Sequence, residues 1–184
     1  MDFVKRCIWF TLLLPLLAGC GDTMDDLDPS GTDDRLPVQA GTTGPEVGQN
    51  ATDFTVSDSL GNAVSLAGVL PATTGVVLYF TMWCPICDSH MGHMLDTVIP
   101  AFPDVRFFAV DYVSGSVGEA RGSEVANGFA GSGFSVLADT DGLLLTAYAA
   151  TMGSTVVIDS AGVIRMNEDY KNGVRLQATL TGLP

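Results

Sequence analysis

Thr74 to Met82 reads TGVVLYFTM, with five large apolar residues in succession from Val76 to Phe80 and no alternation with polar ones. Such a run is a strand buried on both faces, which needs strands on either side and a layer of cover above and below. Trp83-Cys84-Pro85-Ile86-Cys87 follows with no linker, and the spacing beyond it predicts a helix over Pro85 to Val98. A pair of cysteines therefore falls at a strand-to-helix junction beside the centre of a sheet.

The surrounding segments supply what that strand needs. ATDFTVSD and AVSLAG alternate around Ser59-Leu60-Gly61-Asn62 as a small N-terminal hairpin. DVRFFAVDYV reads as a second buried strand, Val117 to Ala130 as a glycine-interrupted helix, FSVLAD as a short strand and DGLLLTAYAA as a short helix. STVVID and GVIRMNED pair across Ser160-Ala161-Gly162, and NGVRLQATLTGL closes the chain as a helix. Strands alternating with helices, then a hairpin, then a helix describe a mixed α/β sheet covered on both faces. SGSVGEARGSEVANGFAGSG lacks the G-x-x-x-x-G-K pattern of a phosphate loop. Asp53, Asp111, Asp139 and Asp159 fall at strand edges or turns and read as turn formers.

A length of 184 residues suits one domain with appendages. The net charge of -13, from 8 basic and 21 acidic residues, repels phosphate backbones and excludes nucleic acid as a partner. Lys5 and Arg6 precede a short apolar run, which is the form of an export signal rather than a membrane span. The run ends in Leu17-Ala18-Gly19-Cys20, which resembles the bacterial lipoprotein cleavage box. That resemblance implies a signal peptide over residues 1–19, lipid on Cys20, and a protein of the bacterial cell envelope facing the periplasm or the outside. Residues 20–46, acidic and rich in Gly, Pro and Thr, read as a disordered tether, and residues 47–184 as the folded domain.

Cysteine arithmetic follows from that. Cys7 leaves with the signal and lipid consumes Cys20, so only Cys84 and Cys87 remain. An exported domain with one close pair has no disulfide framework, which leaves chemistry or metal as its use. At a helix N-terminus, unpaired backbone N–H groups and the positive end of the macrodipole favour a thiolate at Cys84. Cys87, one turn on, is in reach to resolve a mixed disulfide, and Pro85 suits a first helical turn that needs no N–H. These residues predict Cys84 as nucleophile, Cys87 as resolving thiol and a redox-active disulfide between them. Trp83 reads as a cover that shapes the substrate surface beside Cys84.

Together ATDFTVSDSLGNAVSLAG, VVLYFTMWCPIC, VRFFAVD, FSVLADTDG and STVVIDSAGVI resemble the thioredoxin-like redoxin family, over roughly Val47 to Leu183. That group includes the alkyl hydroperoxide reductase and thiol-specific antioxidant proteins and the membrane-tethered disulfide reductases of cytochrome maturation. The resemblance implies a thioredoxin-like α/β fold with an N-terminal hairpin extension, and a thiol–disulfide oxidoreductase that needs no bound cofactor. Its implied partners are the thiols and disulfides of exported proteins, with a separate protein as electron donor or acceptor, and a monomer is expected. The resemblance also exposes a departure. Where the disulfide reductases carry a cis-proline facing the cysteines, this chain has Gly153, which implies a reshaped groove. Peroxidases of the family commonly have an arginine there; Thr81 matches the peroxidase threonine, but Val77 stands where their proline belongs. A thiol peroxidase is therefore the weaker reading.

Helical spacing from Cys87 puts Met91, Met94 and Val98 on one apolar stripe facing the sheet. His93 falls on the polar face as a solvated residue. His90 borders the stripe one turn beyond Cys87, where it reads as a partly buried structural residue or as a proton partner of Cys87. A third use of the segment is a Cu(I) module built from Cys84, Cys87, His90 and the methionines Met91, Met94 and Met152. Four-ligand zinc fits poorly, because His93 is turned away, and no metal ligand is assigned.

Overall fold

The computed structural model describes residues 37–184. The expected signal peptide (residues 1–19), Cys7, Cys20 and most of the tether lie outside the described residues. Seven strands form one sheet: β1 Thr55–Asp58, β2 Ala63–Ser65, β3 Gly75–Thr81, β4 Val105–Asp111, β5 Ser135–Ala138, β6 Ser154–Asp159 and β7 Ile164–Asp169, in the order β2-β1-β5-β4-β3-β6-β7. β3 is central, as its uninterrupted apolar run requires, and every residue of it is buried. It pairs in parallel with β4, where Thr81 lies opposite Asp111, and antiparallel with β6, where Tyr79 lies opposite Thr155. The N-terminal hairpin β1–β2 adds to the sheet through the antiparallel pairing of β1 with β5.

Among the described residues, five α-helices cover the sheet: α1 Leu66–Val69, α2 Pro85–His93, α3 Val117–Ala126, α4 Leu143–Ala147 and α5 Val174–Thr181. Alternate β3 side chains feed two cores. Val77 and Tyr79 face Cys87, Met91, Met94 and Val98 together with Leu176 and Leu180 of α5. Val76, Leu78 and Phe80 face Leu66, Leu144 and Tyr148 on the other side. The apolar stripe expected on α2 is thus the seam that fastens it to the sheet. The regular α-helix stops at His93, however, and continues as a wide turn of π type over Met94–Val98 and a 3-10 turn over Ile99–Ala101. α3 also ends sooner than the spacing predicts, because the Asn127 amide caps the Ser123 carbonyl and Gly128 takes φ +78.

The folded chain begins before Val47. Gln39 to Asn50 is a set of turns tied to β7: Gly48 N–H donates to the Ile164 carbonyl, and the Asn167 amide donates to the Pro45 carbonyl at 2.9 Å. The tether expected over residues 20–46 therefore gives way to structure some residues earlier, since these carbonyls and amides have partners on β7.

Candidate active site

The carboxyl ends of the parallel strands β3 and β4 meet the amino end of β6, and the cysteine pair stands at this junction. Cys84 is the N-cap of α2, with φ -92 and ψ 161, and its Sγ accepts the Cys87 backbone N–H at 3.2 Å. The sulfur itself therefore takes one of the N–H groups that the first helical turn leaves free, an interaction that strengthens when the sulfur is negative. Pro85 occupies the first helical position, where it removes no hydrogen bond. Both cysteines are thiols; Cys84 is half-buried and open to a partner, whereas Cys87 is 0% exposed. Burial pushes the Cys87 thiol up, but hydrogen bonds involving the Cys84 thiol, the backbone of Met82 and Cys84 and the Thr81 hydroxyl hold it below the ordinary thiol value.

Trp83 has φ +57, a left-handed backbone that bulky residues rarely adopt. Two hydrogen bonds hold it there. Its backbone N–H donates to Thr81 Oγ1 at 3.0 Å, and its indole Nε1 donates to Asp111 Oδ2 at 2.8 Å. Asp111 is fully buried and also accepts the backbone N–H groups of Val113 and Ser114 and the Ser114 hydroxyl. Asp111 does form a turn, as the sequence predicts, but the same carboxylate positions the tryptophan beside Cys84. Nothing near Asp111 in sequence points to that second task; it arises from the β3–β4 register, which sets Thr81 opposite Asp111. Phe129 packs against the other side of Trp83, with ring centroids 6.2 Å apart.

Gly153 immediately precedes β6, with φ +84, and the described residues contain no cis peptide. Its N–H donates to the Phe80 carbonyl at 2.9 Å, and its carbonyl accepts the Tyr170 N–H at 2.8 Å. The residue is thus more than a missing proline: this backbone has a φ that proline cannot take and uses an N–H that proline lacks. Met82 and Ile86, next to the cysteines in the chain, are exposed at 44% and 57%, and Met152, next to Gly153 whose N–H reaches the Phe80 carbonyl, at 38%. Met152 is therefore a surface residue, while Met91 and Met94 lie fully in the core.

Of the two histidines, only His93 departs from its sequence expectation. His90 Nδ1 is hydrogen-bonded to the buried Tyr79 hydroxyl at 3.0 Å, and its ring packs on Tyr170 at 4.7 Å. Burial, followed by the nearby His93, lowers its proton affinity below the ordinary histidine value. His93 is half-buried rather than solvated, because Tyr170 folds over from the end of β7 and its hydroxyl meets His93 Nδ1 at 2.5 Å. Tyr79 reads in sequence as part of the buried strand, and its polar role is visible only once α2 lies over it. Among the described residues, no three His, Cys, Asp or Glu side chains converge as a metal-binding set.

The AhpC/TSA family profile matches residues 47–167. No curated protein matches the chain in sequence. Among solved structures, a putative thiol:disulfide interchange protein DsbE from Chlorobium tepidum is similar at 18% identity and TM-score 0.62, over 75% of this chain and 97% of that one. Peroxidoxin BcpB from Mycobacterium tuberculosis is similar at 19% identity and TM-score 0.61, over 75% and 97%. A secreted disulfide oxidoreductase from the same organism, homologous to E. coli DsbE, follows at 21% identity and TM-score 0.55, over 71% and 96%. At these identities the likeness establishes the fold, which is thioredoxin-like.

Proposed function

The chain belongs to the AhpC/TSA family, and on that premise we propose that it is a membrane-anchored thiol–disulfide oxidoreductase exchanging disulfides with exported proteins through Cys84 and Cys87. The observation that carries this reading is the asymmetry of the pair. Cys84 is accessible and receives the Cys87 N–H on its sulfur, whereas Cys87 is buried directly behind it. In the reductive direction, the Cys84 thiolate attacks one sulfur of a substrate disulfide and expels the other as a thiol. Cys87 then attacks Cys84, releasing the second substrate thiol and leaving the Cys84–Cys87 disulfide. A donor protein with a lower potential returns two electrons and two protons; an acceptor would run the cycle backwards. The exposed apolar side chains of Met82, Ile86 and Met152 support a polypeptide partner over a small polar one. Trp83 and Pro85 flank Cys84, and Gly153 ties the start of β6 to the Phe80 carbonyl of β3.

Anchoring through lipid on Cys20 after removal of residues 1–19, with the residues between Cys20 and the turns that begin at Gln39 as spacer and the catalytic domain following, completes the reading for an envelope protein. Peroxidase chemistry is less well supported. The Thr81 hydroxyl serves Cys87 and the Trp83 N–H. The four described arginines are occupied elsewhere: Arg106 with Ser135, Arg121 with Glu124, Arg165 with Asp159 and Arg175 with Glu168. A Cu(I) module built on Cys84, Cys87 and His90 must contend with the Tyr79 hydroxyl already bonded to His90 Nδ1.

The test is a trap. The full chain with Cys7→Ser, Cys20→Ser and Cys87→Ser, mixed with oxidised cell-envelope proteins, accumulates adducts that a reductant dissolves, and the same chain with Cys84→Ser in place of Cys87→Ser forms none. Absence of adducts, or equal adducts from both variants, refutes the reading.

A further inference from the structure

Resolution requires Cys87 to become a thiolate as it attacks, yet its side chain has no access to water. Its proton needs a route out. Cys87 has Cys84 and the Thr81 hydroxyl at its front and shares its buried core with Tyr79 of β3, while the Tyr112 phenol packs on the opposite core and meets Cys87 only through its charge. Among the described residues no carboxylate is hydrogen-bonded to the cysteine pair; Asp88, in the same turn, has a shielded Oδ1 without a partner. Burial first, then the charge of Cys87 and a hydrogen bond to it, keep the Tyr79 phenol from ionising at physiological pH. A phenol that stays protonated is still able to pass a proton on. It accepts one at oxygen while giving up its own. The acceptor is in place at His90 Nδ1, 3.0 Å from the same hydroxyl.

We propose that Tyr79 and His90 form the proton relay for Cys87, a reading that rests on the exchange reaction above. Before resolution, the Cys87 thiol lies in the core it shares with Tyr79, and the phenol donates to His90 Nδ1. As Cys87 Sγ bonds to Cys84 Sγ, the Cys84–substrate S–S bond breaks and its electron pair leaves on the substrate sulfur. The thiol proton moves to the Tyr79 oxygen, and the phenol proton moves to His90 Nδ1. The half-buried imidazolium then loses a proton to solvent. Tyr170 packs on the His90 ring, 4.7 Å away, and fixes its direction. Its own hydroxyl is bound to His93, so it does not divert the proton. The groups that face His90 are thus Tyr79, Tyr170 and His93, and neutral His90 is the working form.

The relay acts on the second chemical step only, and a two-step probe separates it from the exchange reaction itself. The full chain with Cys7→Ser and Cys20→Ser, reduced and mixed rapidly with 5,5′-dithiobis(2-nitrobenzoate), releases one thionitrobenzoate as Cys84 attacks and a second as Cys87 resolves. Tyr79→Phe and His90→Gln are expected to leave the first phase in place and slow the second by about 100-fold, the lower range for general acid–base catalysis. In the parent protein the second phase falls as pH drops through the histidine range, and in both variants that inflection disappears. A second phase within twofold of the parent in both variants, or an unchanged inflection, overturns the relay while leaving exchange intact. Absence of the second phase in the parent overturns the exchange reading and the relay with it. Should Tyr79→Phe fail to fold, His90→Gln decides alone, because it keeps a hydrogen-bonding side chain but cannot carry the proton.

Discussion

Replacing Gly153 separates two explanations of why glycine stands before β6. If the position merely lost a proline, Gly153→Pro restores a familiar groove and is tolerated at least as well as Gly153→Ala. The geometry predicts the reverse. A Cβ at Gly153 meets no atom within 4 Å, so alanine suffers only from the left-handed φ of +84, a penalty of about 1–2 kcal/mol. Proline, held near φ of about −65°, must rotate the backbone by roughly 150°. It also removes the N–H that the buried Phe80 carbonyl accepts at 2.9 Å, and an orphaned buried acceptor costs about 1–3 kcal/mol. Together with the imposed rotation, the proline penalty reaches about 4 kcal/mol or more. For a domain of this size, each kcal/mol moves Tm by about 2–4 °C. Thermal unfolding of the reduced protein, followed by circular dichroism, should show Tm lowered by about 2–8 °C for alanine and at least about 8 °C for proline. A proline variant that melts at or above the alanine variant refutes the reasoning, since the loop would then accept a proline backbone without loss.

Two further predictions address the supports of the site. Asp111→Ala leaves the Trp83 indole and the Val113 and Ser114 N–H groups without their acceptor; a loss of about 3 kcal/mol or more is expected in urea unfolding, with a changed Trp83 emission, and Asp111→Asn should lose less. His90 binds its proton less readily when folded than in the unfolded chain, where its pKa is about 6.5. Between the lowered folded value and that reference the unfolded chain holds more protons, so stability rises with pH through this window and is lost as pH falls. His90→Gln should flatten the slope in unfolding measured across the acid side of neutrality, and an unaltered slope contradicts the assigned burial.

The elements legible in the sequence were those set by local pattern. The unbroken apolar run of β3, the alternation around Ser59 to Asn62, and the Cys87–Met91–Met94–Val98 spacing each carry their own burial signature, and each lies where that signature implies. Cys84 at the helix N-cap was legible for the same reason, because strand, cysteine and Pro85 are contiguous. The remainder depends on partners far along the chain. Asp111 reaches Trp83 across 28 positions, Tyr170 reaches His93 across 77, and Asn167 holds Pro45 across 122. No periodicity encodes such contacts; they follow from register and from which helical face lands on which strand. Gly153 was visible as a departure from pattern, but its meaning lay in a backbone angle and an N–H that composition does not reveal.

The account rests on Cys84 and Cys87 forming a working redox couple. Equilibrating the full chain with Cys7→Ser and Cys20→Ser in glutathione buffers of graded potential, trapping free thiols by alkylation and weighing the products by mass spectrometry tests it most directly. The expected result is one reversible two-electron transition joining these two cysteines, with a midpoint between about −270 and −120 mV, the range spanned by thioredoxin-type pairs. A pair that never interconverts, or a midpoint below about −300 mV, where structural disulfides lie, contradicts the account.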